Sequence, residues 1–363
     1  AVAKAAMDSG VATRPIADLE AYAEKLTEFV YKTSLFMRPV FNQARKDIKR
    51  IVLTEGEDER VLHAAQQVVS QKLAFPILVG DAKLIEERLH SQGLTIQPGK
   101  DFELVDIKNS PYYEASWKEY YNLRKRKGVT EEMARRRLKA NSTLVGALLV
   151  RLGHADGLVC GTMGRFHDHF AVMEEVIGYN NPEKEAFAMN ALISNKGNFF
   201  IADTYINENP TAEQLAKGTL MCAAEMKRFG LKPKVALVSN TNYGSNRNPD
   251  ANKMQQALEL IRELDPALEI DGEMQADVAL DEEMRKSIFP ETTLSGAANL
   301  LVMPNVEAAN ISYNLLRVNA TNGITVGPIL MGLNKPVQIV TPISTVRRIV
   351  NMIALAAVDA QRQ

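Results

Sequence analysis

The chain is short of cysteine, of tryptophan and of net charge, and each shortage narrows what it can be. Its two cysteines, Cys160 and Cys222, are too few for a disulfide framework and sit in no metal-ligand spacing. That usage suits a reducing compartment, so a cytoplasmic protein is expected. Lys and Arg number 43 against 44 Asp and Glu, a formal net charge of −1. No global field therefore favours nucleic acid or a membrane surface. No apolar run reaches the ~18 residues of a membrane span, and no basic-then-apolar leader is present. Internal repeats and low-complexity tracts are absent. The chain opens AVAKAAMDSG, without an initiator Met, as an excised fragment would.

What is present is an ordinary globular composition. With 363 residues and 46% apolar content, a sizeable core forms without staples, and the length suggests about two domains. The first 35 residues read as a separate helical piece, split by Arg14-Pro15-Ile16. Asp18 is placed to cap a helix whose Leu19, Tyr22, Leu26 and Phe29 recur at helical spacing. From residue 50, strand and helix patterns alternate. Strands are expected at Arg50–Thr54, Phe75–Gly80, Gly157–Val159, Phe199–Ala202, Val235–Ser239, Leu300–Met303 and Thr325–Leu330, with helical segments between most of them. Such alternation predicts α/β architecture with mainly parallel sheets covered on both faces.

Several local features admit two readings. His167-Asp168-His169 invites a metal, but no third ligand stands at a recognisable spacing, and alternate residues of an extended segment point apart; no metal site is expected. Cys160 lies in an apolar run, the setting of a buried inert thiol. Arg124-Lys125-Arg126-Lys127 with Arg135-Arg136-Arg137 reads first as a solvated face balanced by Glu131 and Glu132, and next as a phosphate contact. Glu55, Glu57, Asp58 and Glu59 read as acids at a helix N-terminus. Ser239–Pro249, Asn-rich with Gly244 in its middle, is either an ordinary strand-to-helix connection or a loop suited to anions.

Longer motifs carry a family resemblance. IVLTEGEDERVLHAA, AFPILVGDAKLI, LRKRKGVTEEMARRRL, HADGLVCGT, FFIADTYIN, EIDGEMQADVAL, NLLVMPNVEAANISYNLLR and VGPILMGLNKPVQIVTPISTVRRIVN occur in the order of the phosphotransacetylases, over about residues 47–360. Pro304, Asn305, Asn310, Tyr313, Gly327, Pro328, Gly332, Lys335 and Pro336 fall in place. AAMDSGVATRPIADLEAYAEKL is similar to the last helices of bacterial malic enzymes, one class of which, NADP-dependent, carries a phosphotransacetylase-like domain at its C-terminus. The resemblance implies two three-layer αβα domains with mainly parallel sheets facing across a cleft, preceded by a short helical segment. The pieces would be residues 1–35, a first domain of 36–181 plus 329–363, and a second of 182–328.

The resemblance also implies where chemistry belongs and where it is lost. Phosphotransacetylases move an acetyl group between phosphate and the thiol of coenzyme A, which calls for cations, backbone N–H donors and a base. The family's Ser-Arg becomes Thr341-Pro342. The acidic pair that holds its candidate base becomes Arg347-Arg348. Its cysteine becomes Thr204, and an arginine becomes Ala171. Proline brings neither charge nor N–H. Donors aimed at developing charge give ~10²–10³ each in rate, so no activity is expected of this chain.

The implied function is regulatory: an inactive domain in cis to a malic enzyme catalytic domain, binding acetyl-CoA as allosteric inhibitor and forming at least a dimer. NADP and a divalent metal (Mg or Mn) would belong to the catalytic domain, which converts malate to pyruvate, CO2 and NADPH. The effector contacts implied are Thr241, Asn242, Ser245, Arg247, Asn305, Asn310, Tyr313, Arg317, Met331, Lys335 and Thr341, and Arg124 matches a family coenzyme A arginine. An active phosphate acetyltransferase and a ligand-free oligomerisation module are the alternatives.

Overall fold

The computed structural model describes residues 36–106, 109–194, 197–246, 248–319 and 324–362, with isolated positions between 5 and 22. The expected N-terminal helix with Leu19, Leu26 and Phe29 lies outside the described residues.

Two sheets organise the chain. The first has the order β11-β4-β1-β2-β3, from Val337–Ile339, Gly157–Cys160, Arg50–Leu53, Phe75–Gly80 and Glu103–Asp106. All its pairings are parallel. Strands covered on both faces read as unbroken apolar runs, and Pro76–Gly80 is buried throughout. The second sheet has the order β10-β5-β6-β9-β7-β8, from Ile324–Met331, Phe187–Ser194, Gly197–Ala202, Leu300–Val302, Lys234–Val238 and Glu269–Met274. Here β6, β9, β7 and β8 run parallel, while β5 pairs antiparallel with both β6 and β10.

Caps set where the helices begin. Asp58 accepts from the Arg60 N–H at the start of helix Glu59–Ser70, and Thr211 with Gln214 forms a capping box on helix Ala212–Arg228. That second helix lies so close to β5 that a Cβ on Gly218 would sit 2.3–2.4 Å from the Phe187 ring. Only a residue without a side chain allows the approach.

Helix Val346–Ala360 is the central element. It is buried along nearly its whole length and packs on helix Glu59–Ser70, β4 and β11 of the first sheet and on β10 of the second. One contiguous core joins Leu53 and Val159 of the first sheet to Phe187, Phe200 and Leu237 of the second. Near the end of this helix, Arg228 bridges Glu225 and Asp359. Burial first, then the Asp359 carboxylate, pushes Glu225 up to about 7 against the pull of Arg228. Among the described residues, no helix is long and apolar enough to cross a membrane.

Candidate functional site

The carboxyl ends of β1, β4 and β11 carry the first group of polar residues. Thr341 is buried, and its N–H donates to Ser344 Oγ at 3.1 Å. Arg60, in the first turn of helix Glu59–Ser70, holds this loop by its carbonyls: Nη1 donates to Pro342 O at 2.5 Å and to Ser344 O at 3.1 Å. Its Nη2 donates to Thr162 O at 3.0 Å and pairs with Asp58 at 2.6 Å. Against its partial burial, hydrogen bonds from Arg60 keep the Asp58 carboxyl below the usual range. One guanidinium thus ties the loop after β4 to the loop after β11. Gly161 lets them meet: at φ +100°, a Cβ there would lie 2.4 Å from Val340 O.

Glu55 accepts from the N–H of Gly161 at 3.0 Å and from the Thr54 hydroxyl at 2.8 Å. Burial pushes its carboxyl up, while His169 and these donors pull it back. Glu57 accepts from Asp81 N at 2.8 Å. The expectation of four acids at one helix N-terminus is therefore corrected. Asp58 and Glu59 serve that role, whereas Glu55 and Glu57 precede the cap and satisfy N–H groups of neighbouring loops.

His167-Asp168-His169 is helical rather than extended, within Phe166–Val176. His169 Nε2 lies 2.6 Å from Met163 O and Nδ1 lies 2.8 Å from the Thr143 hydroxyl. A carbonyl only accepts, so Nε2 carries the proton and Nδ1 takes the hydroxyl's. Ala171 is exposed on the same helix.

The second sheet contributes a facing group. Thr204 is buried; its Oγ1 accepts from Asn190 Nδ2 at 2.8 Å and its carbonyl from Asn310 Nδ2 at 3.2 Å. Buried Asp203 accepts from the N–H of Tyr205, Ile206 and Asn207 at 3.0, 3.1 and 2.8 Å. Burial raises its pKa and those donors oppose the rise. Tyr205 stacks on Phe166 with centroids 4.6 Å apart, so the loop after β6 meets the helix after β4. Arg348 enters between the sheets. It is 9% exposed, and its Nη2 donates to the hydroxyls of Tyr313, at 3.5 Å, and Thr325. Arg317 lies over the Tyr313 ring.

The structure thus brings Thr204, Asn310, Tyr313, Arg317 and Arg348 together, with Thr341 and Pro342 on the loop leading to Arg348. Thr241, Asn242 and Ser245 form a separate cluster after β7. There Thr241 donates to Glu273 at 2.8 Å and Asn242 bonds Gln275 at 2.8 Å. Asn305 caps helix Val306–Asn319 by accepting from Ala308 N at 2.9 Å. Met331 and Lys335 line another cavity, of about 400 Å3, beside Glu225, Arg228 and Asp359. Arg247 lies outside the described residues. The basic cluster finds its ion-pair partners in Glu175 and Glu114: Arg124–Glu175 at 3.0 Å, Arg137–Glu175 at 3.6 Å and Arg135–Glu114 at 3.8 Å. The expected partners Glu131 and Glu132 instead occupy the first turn of helix Glu131–Ala140, where the helix dipole favours acids. Cys160 is buried, and burial and then Glu55 push its thiol well up.

Sequence reasoning missed Arg60, Ser344, Thr325 and Asn190. Arg60 and Ser344 stood inside recognised motifs, RVLHAA and VTPISTVRRIVN, whereas Thr325 and Asn190 stood in none.

With this geometry in view, comparison with known proteins decides the family. The phosphate acetyl/butaryl transferase family model matches residues 35–357. The chain belongs to this family. It is 33% identical over 331 residues to the phosphate acetyltransferase of Corynebacterium glutamicum, covering 90% of this chain and 98% of that one. The structure of a phosphotransacetylase from Streptococcus pyogenes superimposes with a TM-score of 0.82 at 28% identity, covering 90% of this chain and 99% of the other. Higher identity is found to NADP-dependent malic enzymes: 56% over 361 residues in Salmonella typhimurium and 56% over 363 residues in Escherichia coli. The alignments take in 99% and 100% of this chain, which spans 48% of each of those proteins. The chain is therefore the counterpart of the phosphotransacetylase-like part of these malic enzymes, about half their length.

Proposed function

We propose that this chain is the regulatory part of an NADP-dependent malic enzyme, binding acetyl-CoA as allosteric inhibitor without phosphotransacetylase activity of its own. The observation that carries the reading is the exchange of charge at the family's reactive positions. Pro342 stands where the family has an arginine, and its carbonyl is taken by Arg60. Arg348 stands at the candidate base and is buried between hydroxyls. A guanidinium does not deprotonate a thiol at neutral pH. Thr204, in place of the cysteine, spends its hydroxyl on Asn190.

A scaffold kept without its chemistry suits sensing. Under this reading the two sheets belong to the domains 36–181 plus 329–363 and 182–328, and the effector lies between them. Inhibition then requires acetyl-CoA to favour one arrangement of an oligomer, at least a dimer, over another. NADP and the divalent metal belong to the catalytic half that this chain does not span. Among the described residues, no group of His, Cys, Asp and Glu is placed to hold a metal ion.

The experiment is thermal denaturation with acetyl-CoA, CoA or acetyl phosphate. At a hundredfold excess over Kd, a bound ligand stabilises the native state by about 2.7 kcal/mol. Acetyl-CoA should raise Tm and acetyl phosphate should not, because the small ligand depended on the lost cations. Equal shifts from both would contradict the reading.

A further inference from the structure

A hollow of about 400 Å3 lies where the chain crosses from the second sheet to the first, between helix Ala212–Arg228, the turn from β10 to β11 and the end of helix Val346–Ala360. We propose that this hollow is a separate small-molecule site, which takes the carboxylate of a small organic acid with an apolar body. Its size falls within the roughly 300–1,000 Å3 of such sites. It stands apart from the family's reactive positions. Lys335 and Val337 line it at the amino end of β11, whereas Thr341 and Pro342 follow that strand's carboxyl end. Asp359, in its wall, lies about 16 Å from Arg348 along the central helix at 1.5 Å per residue.

Charge selects the ligand. Arg228, Lys335 and Arg362 line the hollow together with two carboxylates, Glu225 and Asp359. The Arg228 fork is taken: Nη1 donates to Glu225 and Nη2 to Asp359. Its Nε is buried and has no acceptor among the described residues. The Lys335 side chain is half-buried and makes no hydrogen bond or ion pair among the described residues. Arg362 is exposed at the rim, and its charge acts through space on Glu225 and Asp359. Burial, then the Asp359 carboxylate, keeps a proton on Glu225 up to about pH 7. A cation therefore meets no free carboxylate here, whereas an anion meets Lys335. The last carbonyls of the central helix, which would repel an anion, are already occupied: Ala357 and Asp359 accept from the Gln361 N–H. A phosphate draws on arginine forks and helix N-terminal N–H groups; here the fork is spent on carboxylates, and Lys335 is a point charge. A carboxylate fits what remains, and Met221, Leu330, Met331 and Leu333 cover its carbon chain.

The test is calorimetric titration of the chain with hexanoate, with glutarate and with glutaramide, which has no charge. Each is repeated on Lys335→Gln and on Arg362→Gln. Neither substitution breaks an ion pair, so both variants should fold. Hexanoate or glutarate is expected to bind, and glutaramide at least ~10-fold more weakly. Lys335→Gln should cost the acids a similar factor, Arg362→Gln less, and affinity should fall as salt rises. The parent should bind the acids more weakly at pH 8 than at pH 6, and Glu225→Gln, fixed neutral, should bind them alike at both. The proposal is overturned if neither acid binds, if glutaramide binds as tightly as the acids, or if Lys335→Gln changes nothing. Acetyl-CoA titrated into Lys335→Gln separates this site from the effector reading, on which it does not rest. Unchanged acetyl-CoA affinity beside lost carboxylate affinity keeps both. Acetyl-CoA that binds no form, beside Lys335-dependent carboxylate binding, removes the effector reading and keeps this one. Acetyl-CoA affinity that falls in Lys335→Gln while no acid binds gives the hollow to the effector and overturns the proposal.

Discussion

Glu225 offers a test of how the two sheets are joined. It sits on helix Ala212–Arg228, 4% exposed, paired with Arg228, which also holds Asp359 of the central helix. Burial and the Asp359 carboxylate place its pKa at about 7, against 4.5 for a free side chain. Between those values the native state keeps a proton that the unfolded chain has released. Protons therefore favour folding in that window: the contribution is full below about pH 4.5 and is lost as pH rises through about 7. At about 1.4 kcal/mol per pH unit, the loss is roughly 3 kcal/mol. Glu225→Gln removes the titration and leaves Arg228 paired with Asp359. Urea denaturation at pH 5, 6, 7 and 8 measures both proteins. The parent should lose stability across the range, and the variant should be flatter by roughly 2–4 kcal/mol over it. Equal slopes would refute the burial argument and leave Glu225 an ordinary surface acid.

Other substitutions test separate parts of the account. Arg285 is fully buried and donates to the carbonyls of Val278, Ala279, Leu294 and Gly296 at 3.2, 3.2, 2.9 and 2.5 Å. Arg285→Met takes one donor from each, although Ala279 O keeps its bond from Ala298 N–H at 2.9 Å, and should cost more than about 3 kcal/mol in urea denaturation, with Arg285→Lys giving little rescue. Gly218→Ala should cost about 1–3 kcal/mol by driving a methyl into Phe187. Adding Phe187→Leu should recover part of that, and strict additivity would show that the two do not collide. Thr341→Ser with Pro342→Arg should not create acetyl phosphate-dependent acetyl-CoA formation, since on the proposed reading Arg348 still occupies the base position. Turnover within about a hundredfold of an active family member would mean that the base lies elsewhere, because one lost donor alone costs ~10²–10³.

Much of the fold was legible where local pattern and tertiary role agree. Phe75–Gly80 is a continuous apolar run closed by a capping Asp81, and it is a strand over those residues. Strand β5 was not legible. Its Asn190 lies in a buried run and is satisfied by Thr204, 14 residues on, which no local pattern announces. Strand β11 is three residues long, too short for periodicity to mark. At the site, Thr341, Pro342 and Arg348 could be picked out because they break a family motif. Arg60 could not be assigned, because its acceptors, Pro342 and Ser344, lie 282 and 284 residues away. The approach of two arginines was equally hidden. Arg317 and Arg348 are 31 positions apart by number and meet only because β10 returns the chain between their helices.

The central claim is that this chain binds acetyl-CoA without consuming it. Isothermal titration of acetyl-CoA into the chain in phosphate buffer reads both halves at once. The account predicts injection heats that saturate at one site per chain and return to baseline, the trace of binding alone. A sustained heat after each injection, with free thiol released, would show acetyl transfer to phosphate and contradict the account. The absence of any heat at several temperatures would contradict it from the other side.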